Sequence, residues 1–302
     1  MHDIKSTFDK IIPIIKSYSC NLLNIDGNIT RPGPKPTFSD LNVIALTITA
    51  EILNLDSENY LFKIICSQGE STIFPNIISR SQFNVRRRNL KNCLEFIRIN
   101  IVKDLTESED SFIIDSMPIE ICKFVRAKRS NICREYFQTA PEFGYCASQK
   151  STYFGYKLHT VCSINGVITS FDLSKANVND IKYLQDIKYQ YSNCLIIGDK
   201  GYNGFGAQLE LFNLNKIRVE TPMKKNQINF KPFPFTLRKC RKRIETVYSQ
   251  LCDQFLIRRN YAKSFNGFAT RIVSKISTYT ILQYLNKFVH DKPIGLVKHA
   301  AL

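Results

Sequence analysis

The first hundred residues place their apolar side chains at helical spacing and contain few strand patterns. Residues 81–103 have apolar positions close to a 3.6-residue period, which is typical of an amphipathic helix. A Pro-rich turn at residues 31–36 is followed by Ser39, a residue type that caps helices, so a helix is predicted to begin near Ser39. Similar patterns occur near the N-terminus and over residues 57–66. We therefore expect an all-helical N-terminal domain at residues 1–105.

The hydrophobic period changes after the acidic, turn-prone segment at residues 106–111. The segment FIIDSMPIEI that follows predicts a buried strand. The later segments YFGYKLHTVCSI and VITSFDLS are joined by Asn165 and Gly166, a pair that predicts a β-hairpin. Helical and strand patterns then alternate, at residues 179–191, 194–198, 206–214, 217–221 and 238–255.

This order of elements predicts an α/β domain at residues 111–290, with a mixed five-stranded sheet flanked by helices. A C-terminal tail is expected at residues 291–302. The order of strands and helices is the one found in ribonuclease H-like domains.

Charge is distributed unevenly along the 302 residues. The whole chain carries 42 Lys and Arg against 26 Asp and Glu, a formal net charge of +16, and residues 200–302 alone carry 19 against 5. Such a concentration of positive charge favours a polyanionic partner, usually a phosphate backbone, although solubility alone is the alternative explanation.

Other function classes are disfavoured by composition. No apolar stretch reaches the roughly 18 residues of a membrane span. The ten cysteines are scattered without a C-x-x-C pair, which disfavours a zinc site or a disulfide framework. We therefore expect a soluble cytoplasmic protein that has no membrane partner.

Three carboxylates stand out by their positions in the predicted elements. Asp115 and Asp199 each follow a run of apolar residues in a strand, where a charge needs compensation. Glu245 lies at the edge of the apolar face of the last predicted helix. If the two strands are neighbours and the helix packs across them, the three side chains can converge.

A cluster of oxygen ligands without His or Cys suits Mg²⁺ or Mn²⁺, and a pair of such ions can promote phosphodiester chemistry. A structural alternative exists for each carboxylate. Asp115 and Asp199 can cap turns, and Glu245 can form a salt bridge with Arg241, four residues earlier on the helix.

Basic residues near these carboxylates and in the N-terminal domain are candidates for binding DNA phosphates. A solvated helix face or loop is the alternative for each of them. The candidates are Arg86, Arg87, Arg88, Lys224, Lys225, Arg238, Arg241 and Lys242.

Several segments of the chain resemble DDE-type transposases of bacterial insertion sequences, most closely the group numbered nine-eighty-two. The matching segments are ISRSQFNVRRRNL, IIDSMPI, YFGYKLHTVCSINGVITSFDLSKANVNDI, LIIGDKGY, TPMKKNQ and RKRIETVYSQL. They occur in the family's order from Ile78 to Leu251, and the N-terminal helices fit as well. One departure concerns the related insertion-sequence-four transposases: Arg241 matches their arginine, but Arg238 and Cys252 replace their tyrosine and lysine.

The resemblance implies a ribonuclease H-like catalytic domain in which Asp115, Asp199 and Glu245 hold two Mg²⁺ ions, with Mn²⁺ as a substitute. It implies a transposase that binds the terminal inverted repeats of its element, cleaves the DNA and joins the freed end to target DNA. The implied partners are double-stranded DNA and a second copy of the chain in a homodimer, on the bacterial nucleoid.

Two other functions remain as alternatives. A ribonuclease H-like nuclease without strand transfer would share the three carboxylates, but the helical N-terminal domain counts against it. A catalytically inactive, transposase-derived DNA-binding protein would keep the basic charge, but the presence of all three carboxylates counts against it.

Overall fold

The computed structural model describes residues 3–67, 69, 73–223 and 230–299. It divides the chain into two compact units, one made of residues 1–104 with 251–302 and the other of residues 105–250. This division differs from the expected one, because residues 251–290 group with the N-terminal helices and not with the sheet. We call the first the helical unit and the second the α/β unit.

The regular elements are numbered here in chain order. The main helices are α1 (Ile4–Tyr18), α2 (Asp40–Ile52), α3 (Glu58–Ser67), α4 (Arg80–Asn89), α5 (Lys91–Leu105), α6 (Phe205–Asn215), α7 (Phe235–Asp253) and α8 (Phe265–Tyr284). The strands are β1 (Ser111–Glu120), β2 (Glu142–Cys146), β3 (Ser151–Ser163), β4 (Ile168–Lys175), β5 (Leu195–Ile197) and β6 (Arg218–Glu220). In the described ranges, no helix combines the length and the apolar composition needed to cross a bilayer.

Polar caps define where helices of the helical unit begin. The Ser39 side chain accepts a hydrogen bond from the Asn42 N–H, so α2 starts where the sequence predicts it. Ser79 and Gln82 form a reciprocal capping box at the start of α4. The single helix predicted over residues 81–103 is instead two helices, α4 and α5, which are separated at Leu90.

A buried network of ion pairs joins α2 to α4 and α8 inside the helical unit. Glu51 accepts from Arg87 Nη2 at 2.9 Å and from Lys275 Nζ at 2.7 Å, and all three side chains are buried. Asp56 pairs with Lys275 at 3.3 Å and also with Arg271. Because the charges on both sides are withdrawn from water, each depends on its partners.

The α/β unit contains a mixed sheet in the order β2-β3-β1-β5-β6, with β4 also paired to β3. Strand β3 is antiparallel to β1, β2 and β4, as the predicted hairpin requires for β3 and β4, and β5 is parallel to both β1 and β6. The predicted mixed sheet with flanking helices is therefore confirmed. The described residues form six strands and not five, because β2 lies in a stretch that the sequence pattern left irregular.

One core cluster supports the parallel part of this sheet. Phe112 and Ile114 of β1 and Ile196 of β5 pack with Leu211 of α6 and with Tyr202 in the turn after β5. Apolar side chains that alternate along β1 and β5 therefore hold the two strands against α6, and the polar residues that follow are placed at the strand ends.

The buried ion network predicts an unequal effect of two carboxylate substitutions. Glu51→Gln removes the shared partner of Arg87 and Lys275 and leaves buried positive charge uncompensated, so it should lower the free energy of unfolding by about 3–5 kcal/mol. Asp9→Asn breaks the exposed pair between Lys5 and Asp9 and should cost less than about 1 kcal/mol. Urea denaturation of the two variants checks this, and equal losses would contradict it.

Candidate active site

The parallel pairing of β1 and β5 places two of the predicted carboxylates side by side. Ile113 is the register partner of Ile197, so Asp115 and Asp199, each two residues further along, stand at the same level beyond the paired ends. The predicted adjacency of these two strands is confirmed. The carboxyl ends of neighbouring parallel strands are a common position for ligand sites in α/β folds.

Asp115 is a partly buried carboxylate whose surroundings disfavour its charge. Burial, partly offset by a 2.8 Å hydrogen bond from the Ser116 N–H, raises the pKa of Asp115 to about 7. The neighbouring charges of Asp199 and Asp180 raise this pKa further, and Arg241 lowers it. A cation placed beside Asp115 would remove the cost of keeping it ionised.

Asp199 caps the short turn that follows β5. Its Oδ1 accepts from the Gly201 N–H at 2.7 Å, at the start of the 3₁₀ turn Lys200–Tyr202. A Cβ at Gly201 would lie 3.0 Å from Asp199 Oδ1 and 3.1 Å from Asp180 Oδ2, so glycine leaves room for two carboxylates. Asp199 therefore has the turn-capping role of the structural alternative, and it also faces the same space as Asp115 and Asp180.

Glu245 lies on α7, which is attached to β1 beside Asp115. The Tyr248 hydroxyl donates a 2.8 Å hydrogen bond to the Asp115 carbonyl oxygen, one helical turn after Glu245. The Glu245 side chain itself is 56% exposed and accepts from Arg241 Nη2 at 3.1 Å. The structure thus brings the helix of Glu245 to the site, whereas the carboxylate is engaged in the predicted alternative contact.

Asp180 is a fourth carboxylate of this region that the sequence analysis missed. Its Oδ1 accepts from Ser116 Oγ at 2.9 Å and from Lys157 Nζ at 3.1 Å, and its Oδ2 faces Asp199 across Gly201. It lies in the short 3₁₀ turn Asp180–Tyr183, which is too short to produce a strand or helix pattern in the sequence. The only available signal was its place in the quoted segment that ends in NDI.

The donor set at this site suits a hard divalent cation. Asp115, Asp199 and Asp180 present only oxygen atoms, and the raised pKa of Asp115 shows that its charge is under-compensated. Within the described ranges, however, no three His, Cys, Asp or Glu side chains are grouped tightly enough to hold a metal ion. Oxygen chemistry and charge therefore fit such an ion, whereas the described side-chain positions do not form a complete ligand set, and Glu245 is paired with Arg241.

Basic side chains lie on α7, which carries Glu245, and on the turn after β5, which begins at Asp199. Arg238 and Lys242 are exposed on α7, and Arg241 is half-buried against Glu245. Arg238, Arg241 and Lys200 also line an open pocket of about 340 Å³ that includes Phe230. The predicted candidates on α7 are therefore placed beside Asp199 and Glu245. Lys224 and Lys225 lie outside the described residues.

The arginines of α4 have structural partners. Arg86 donates to the Phe38 carbonyl and to Asp40, both at 2.5 Å, and the buried Arg87 pairs with Glu51 and Glu58. Arg88 is half-buried and donates to the Asn84 carbonyl. This differs from the predicted contact with DNA, because the guanidinium groups of Arg86 and Arg87 are already engaged with carboxylates inside the helical unit.

His159 is a packed residue and not part of the site. It is buried in β3, its ring stacks on Tyr183 with 4.8 Å between centroids, and Nε2 lies 2.8 Å from Ser174 Oγ. Burial lowers the pKa of His159 to about 4, so the ring stays neutral at physiological pH. Its position inside a predicted strand indicates a packed or hydrogen-bonded residue rather than a catalytic one, and its contacts agree with that prediction.

The fold and the site together define an α/β protein with two carboxylates side by side, just past the parallel-paired residues of β1 and β5 and next to a basic helix. The family model for the transposase DDE domain matches residues 107–281, more than half of the chain and the range that contains Asp115, Asp199 and Glu245. The chain belongs to this family of transposase DDE domain proteins.

Other comparisons add little. No curated protein matches the chain. The solved structure of the Mos1 transposase paired-end complex with left transposon end matches with a TM-score of 0.22 and 12% sequence identity, over 86% of this chain and 82% of that chain. A likeness this low supports no conclusion about fold or function.

The pKa of Asp115 predicts a pH-dependent stability difference. The folded-state pKa of about 7 lies above the ordinary value of 3.8, so ionisation destabilises the fold progressively from pH 4 to pH 7 and fully above it. Asp115→Asn mimics the protonated acid. In EDTA it should therefore raise the free energy of unfolding by on the order of 2 kcal/mol at pH 8 and by almost nothing near pH 4.

Denaturant titrations at several pH values measure this difference. The matched control is Asp186→Asn, which changes an exposed carboxylate of the same unit and should show no comparable trend. A stability difference for Asp115→Asn that does not vary with pH would contradict the prediction.

Proposed function

We propose that the protein is a transposase that binds the terminal inverted repeats of an insertion sequence and carries out metal-dependent DNA cleavage and strand transfer. Within transposase families, we place it with the group numbered nine-eighty-two, on the motifs quoted above. The observation that carries the proposal is that Asp115 and Asp199 stand side by side, just past the residues through which β1 and β5 pair in parallel, with the pKa of Asp115 raised to about 7. A carboxylate whose ionised form is disfavoured by its surroundings is a candidate site for a bound cation, because the cation would favour that charge.

Asp115, Asp199 and Glu245 would hold Mg²⁺, or Mn²⁺ in its place, most simply as two ions. When bound, such ions lower the pKa of an attacking oxygen and stabilise the leaving oxygen of a phosphodiester. The reaction has two stages. Water first breaks a P–O bond at the transposon end and leaves a 3′-hydroxyl. This hydroxyl then attacks a phosphodiester of the target DNA, and the 3′-oxygen of the target strand is the leaving group.

Glu245 and Arg241 form the contact that must change when the site is loaded. The pair is partly exposed and weakly held, so exchanging it for other partners costs little. Tyr248 keeps α7 against β1 during this exchange, because its hydroxyl binds a main-chain oxygen and not the carboxylates. Once Glu245 turns toward Asp115, the guanidinium of Arg241 becomes available for a DNA phosphate.

The DNA contacts follow from charge. Arg238, Arg241 and Lys242 on α7, Lys200 after Asp199, and the segment with Lys224 and Lys225 would bind the phosphate backbone near the scissile bond. Arg86 and Arg87 are left out of this surface, because their partners are carboxylates of the helical unit. Recognition of the repeats belongs to the helical unit in this proposal, and a homodimer would bring two ends together in the cytoplasm, on the nucleoid.

The first test removes the proposed ligands one at a time. Asp115→Asn, Asp199→Asn and Glu245→Gln should each lower cleavage of a repeat-containing DNA by roughly 1,000-fold or more, because each removes a metal ligand. Binding of the same DNA should stay within about two-fold, because no basic contact is lost. Gel assays of cleavage and binding measure both quantities.

Glu210→Gln is the matched control for this test. Glu210 lies on α6 and forms a partly exposed pair with Lys188, away from Asp115, Asp199 and Glu245. Breaking this pair should leave both cleavage and binding unchanged. Normal cleavage by any one of the three site variants would remove that residue from the site. Cleavage without joining by the unaltered protein would favour the nuclease alternative, and binding without cleavage would favour the inactive, transposase-derived one.

The second test separates metal chemistry from electrostatic binding. Ca²⁺ should permit repeat binding but not cleavage, because it takes longer bonds and a looser coordination, while Mn²⁺ should restore cleavage. Binding should weaken with salt in either metal. Arg238→Ala with Lys242→Ala should reduce the salt slope by roughly 1 to 2 without changing the metal requirement. Efficient cleavage in EDTA would contradict the mechanism.

A further inference from the structure

The chain between β1 and β3 exposes an unusual number of aromatic side chains. Five of them leave between 39% and 83% of their surface in contact with solvent: Phe124, Tyr136, Phe137, Phe143 and Tyr145. We call the surface formed by residues 121–150 the aromatic–basic surface. Apolar side chains are commonly exposed one at a time, but a group on a single segment marks an interaction site.

Contacts within the α/β unit hold Phe124 and Phe143 in place. The Phe124 ring meets Phe143 edge-on at 5.7 Å, and Phe143 rests on the buried ring of Phe154 at 4.9 Å. The Arg134 guanidinium lies over Phe154 at 5.4 Å and donates to the Ala127 carbonyl. These two rings are therefore held in an ordered position before a ligand binds, which lowers the entropy cost of binding.

The rest of the surface is basic. Residues 121–150 contain six Lys and Arg against two Glu, and most of these basic residues are exposed. Lysine is depleted where proteins bind other proteins, so a second protein is a poor match for this composition. Nucleic acid that exposes its bases is a good match, because each base has a flat face to stack on a ring and each phosphate has a charge for Lys or Arg.

The aromatic–basic surface follows Glu120, the last residue of β1, and Asp115 lies earlier on the same strand. Five residues separate Asp115 from Glu120 at the end of β1, which corresponds to about 17 Å of extended strand. This distance equals the rise of roughly five nucleotides in one strand of B-form DNA. A DNA strand whose scissile phosphate is at Asp115 and Asp199 can therefore reach the rings.

We propose that the aromatic–basic surface binds unpaired nucleotides of the DNA strand that is held at the carboxylate site. Bases stack on Phe124, Phe137 and Tyr145, and Arg126 and Arg129 bind the phosphates between them. The identity of the DNA rests on the proposed function, whereas the affinity for unpaired nucleotides does not, since it requires neither metal nor cleavage.

The test measures binding of the full chain to a fluorescein-labelled single-stranded 20-nucleotide DNA and to its duplex, in EDTA, by anisotropy. Phe124→Ala with Tyr145→Ala should weaken single-strand binding by about ten-fold or more, because two stacking rings are lost. Duplex binding should change by less than about two-fold. Quenching of 2-aminopurine in the single strand, which reports stacking, should be lost in the same variant.

The matched control removes two exposed rings elsewhere in the same unit. Tyr189 and Phe212 also lie beside lysines, Lys188 and Lys216, so Tyr189→Ala with Phe212→Ala removes similar chemistry from another place. This variant should bind both DNAs as the unaltered chain does. Tyr145→Phe keeps a ring and should keep the single-strand affinity, and Phe137→Ala serves as a second test if the double variant melts at a lower temperature.

Equal single-strand affinity in the aromatic variants and the unaltered chain would overturn the proposal. A change of molecular mass in the double variant by light scattering, with DNA binding intact, would also overturn it, because the surface would then join two copies of the chain. Failure of cleavage with the single-strand effect present would instead count against the proposed function alone.

Discussion

The parallel register of β1 and β5 is the constraint on which the candidate site depends. It sets Asp115 and Asp199 at one level of the sheet, close enough for the charge of Asp199 to raise the pKa of Asp115. The apolar residues before them are buried on the core, so the strands cannot slide without exposing those residues. The Tyr248 contact with the Asp115 main chain then fixes α7, and with it Glu245 and the basic residues, against the same strand end.

Buried carboxylates have cationic partners in the helical unit but not at Asp115 of the α/β unit, among the residues that the structure describes. Glu51 and Asp56 in the helical unit are matched by Arg87, Lys275 and Arg271, so their charges are neutralised within the fold. Asp115 forms no salt bridge among the described residues, and the nearest guanidinium is paired with Glu245. A carboxylate without its own cation is costly to the fold and is useful only when a ligand supplies the missing charge. This contrast distinguishes Asp115 from the paired acids of the helical unit more clearly than burial alone does.

Basic residues likewise fall into two groups, those paired with carboxylates inside the fold and those exposed to solvent. The arginines of α4 look like a DNA-binding run in the sequence, yet two of them balance carboxylates inside the helical unit. Arg238 and Lys242 of α7 and the basic residues of the aromatic–basic surface are instead exposed. A protein that brings a polyanion to a cluster of carboxylates needs such a distribution, because the surrounding cations offset the repulsion between phosphate and acid.

Local patterning and turn chemistry act over a few residues, so they predicted the strands β1, β3, β4, β5 and β6, the hairpin at Gly166 and the cap at Ser39, and they made Asp115, Asp199 and Glu245 candidates for the site. They could not determine which charges pair. The partners of Arg87 and Glu51 lie far apart in the chain, as do Asp180 and Ser116. Strand β2, the split at Leu90 and the grouping of residues 251–302 with the N-terminal helices were likewise decided by tertiary structure. Each of them depends on long-range contacts that no local periodicity encodes.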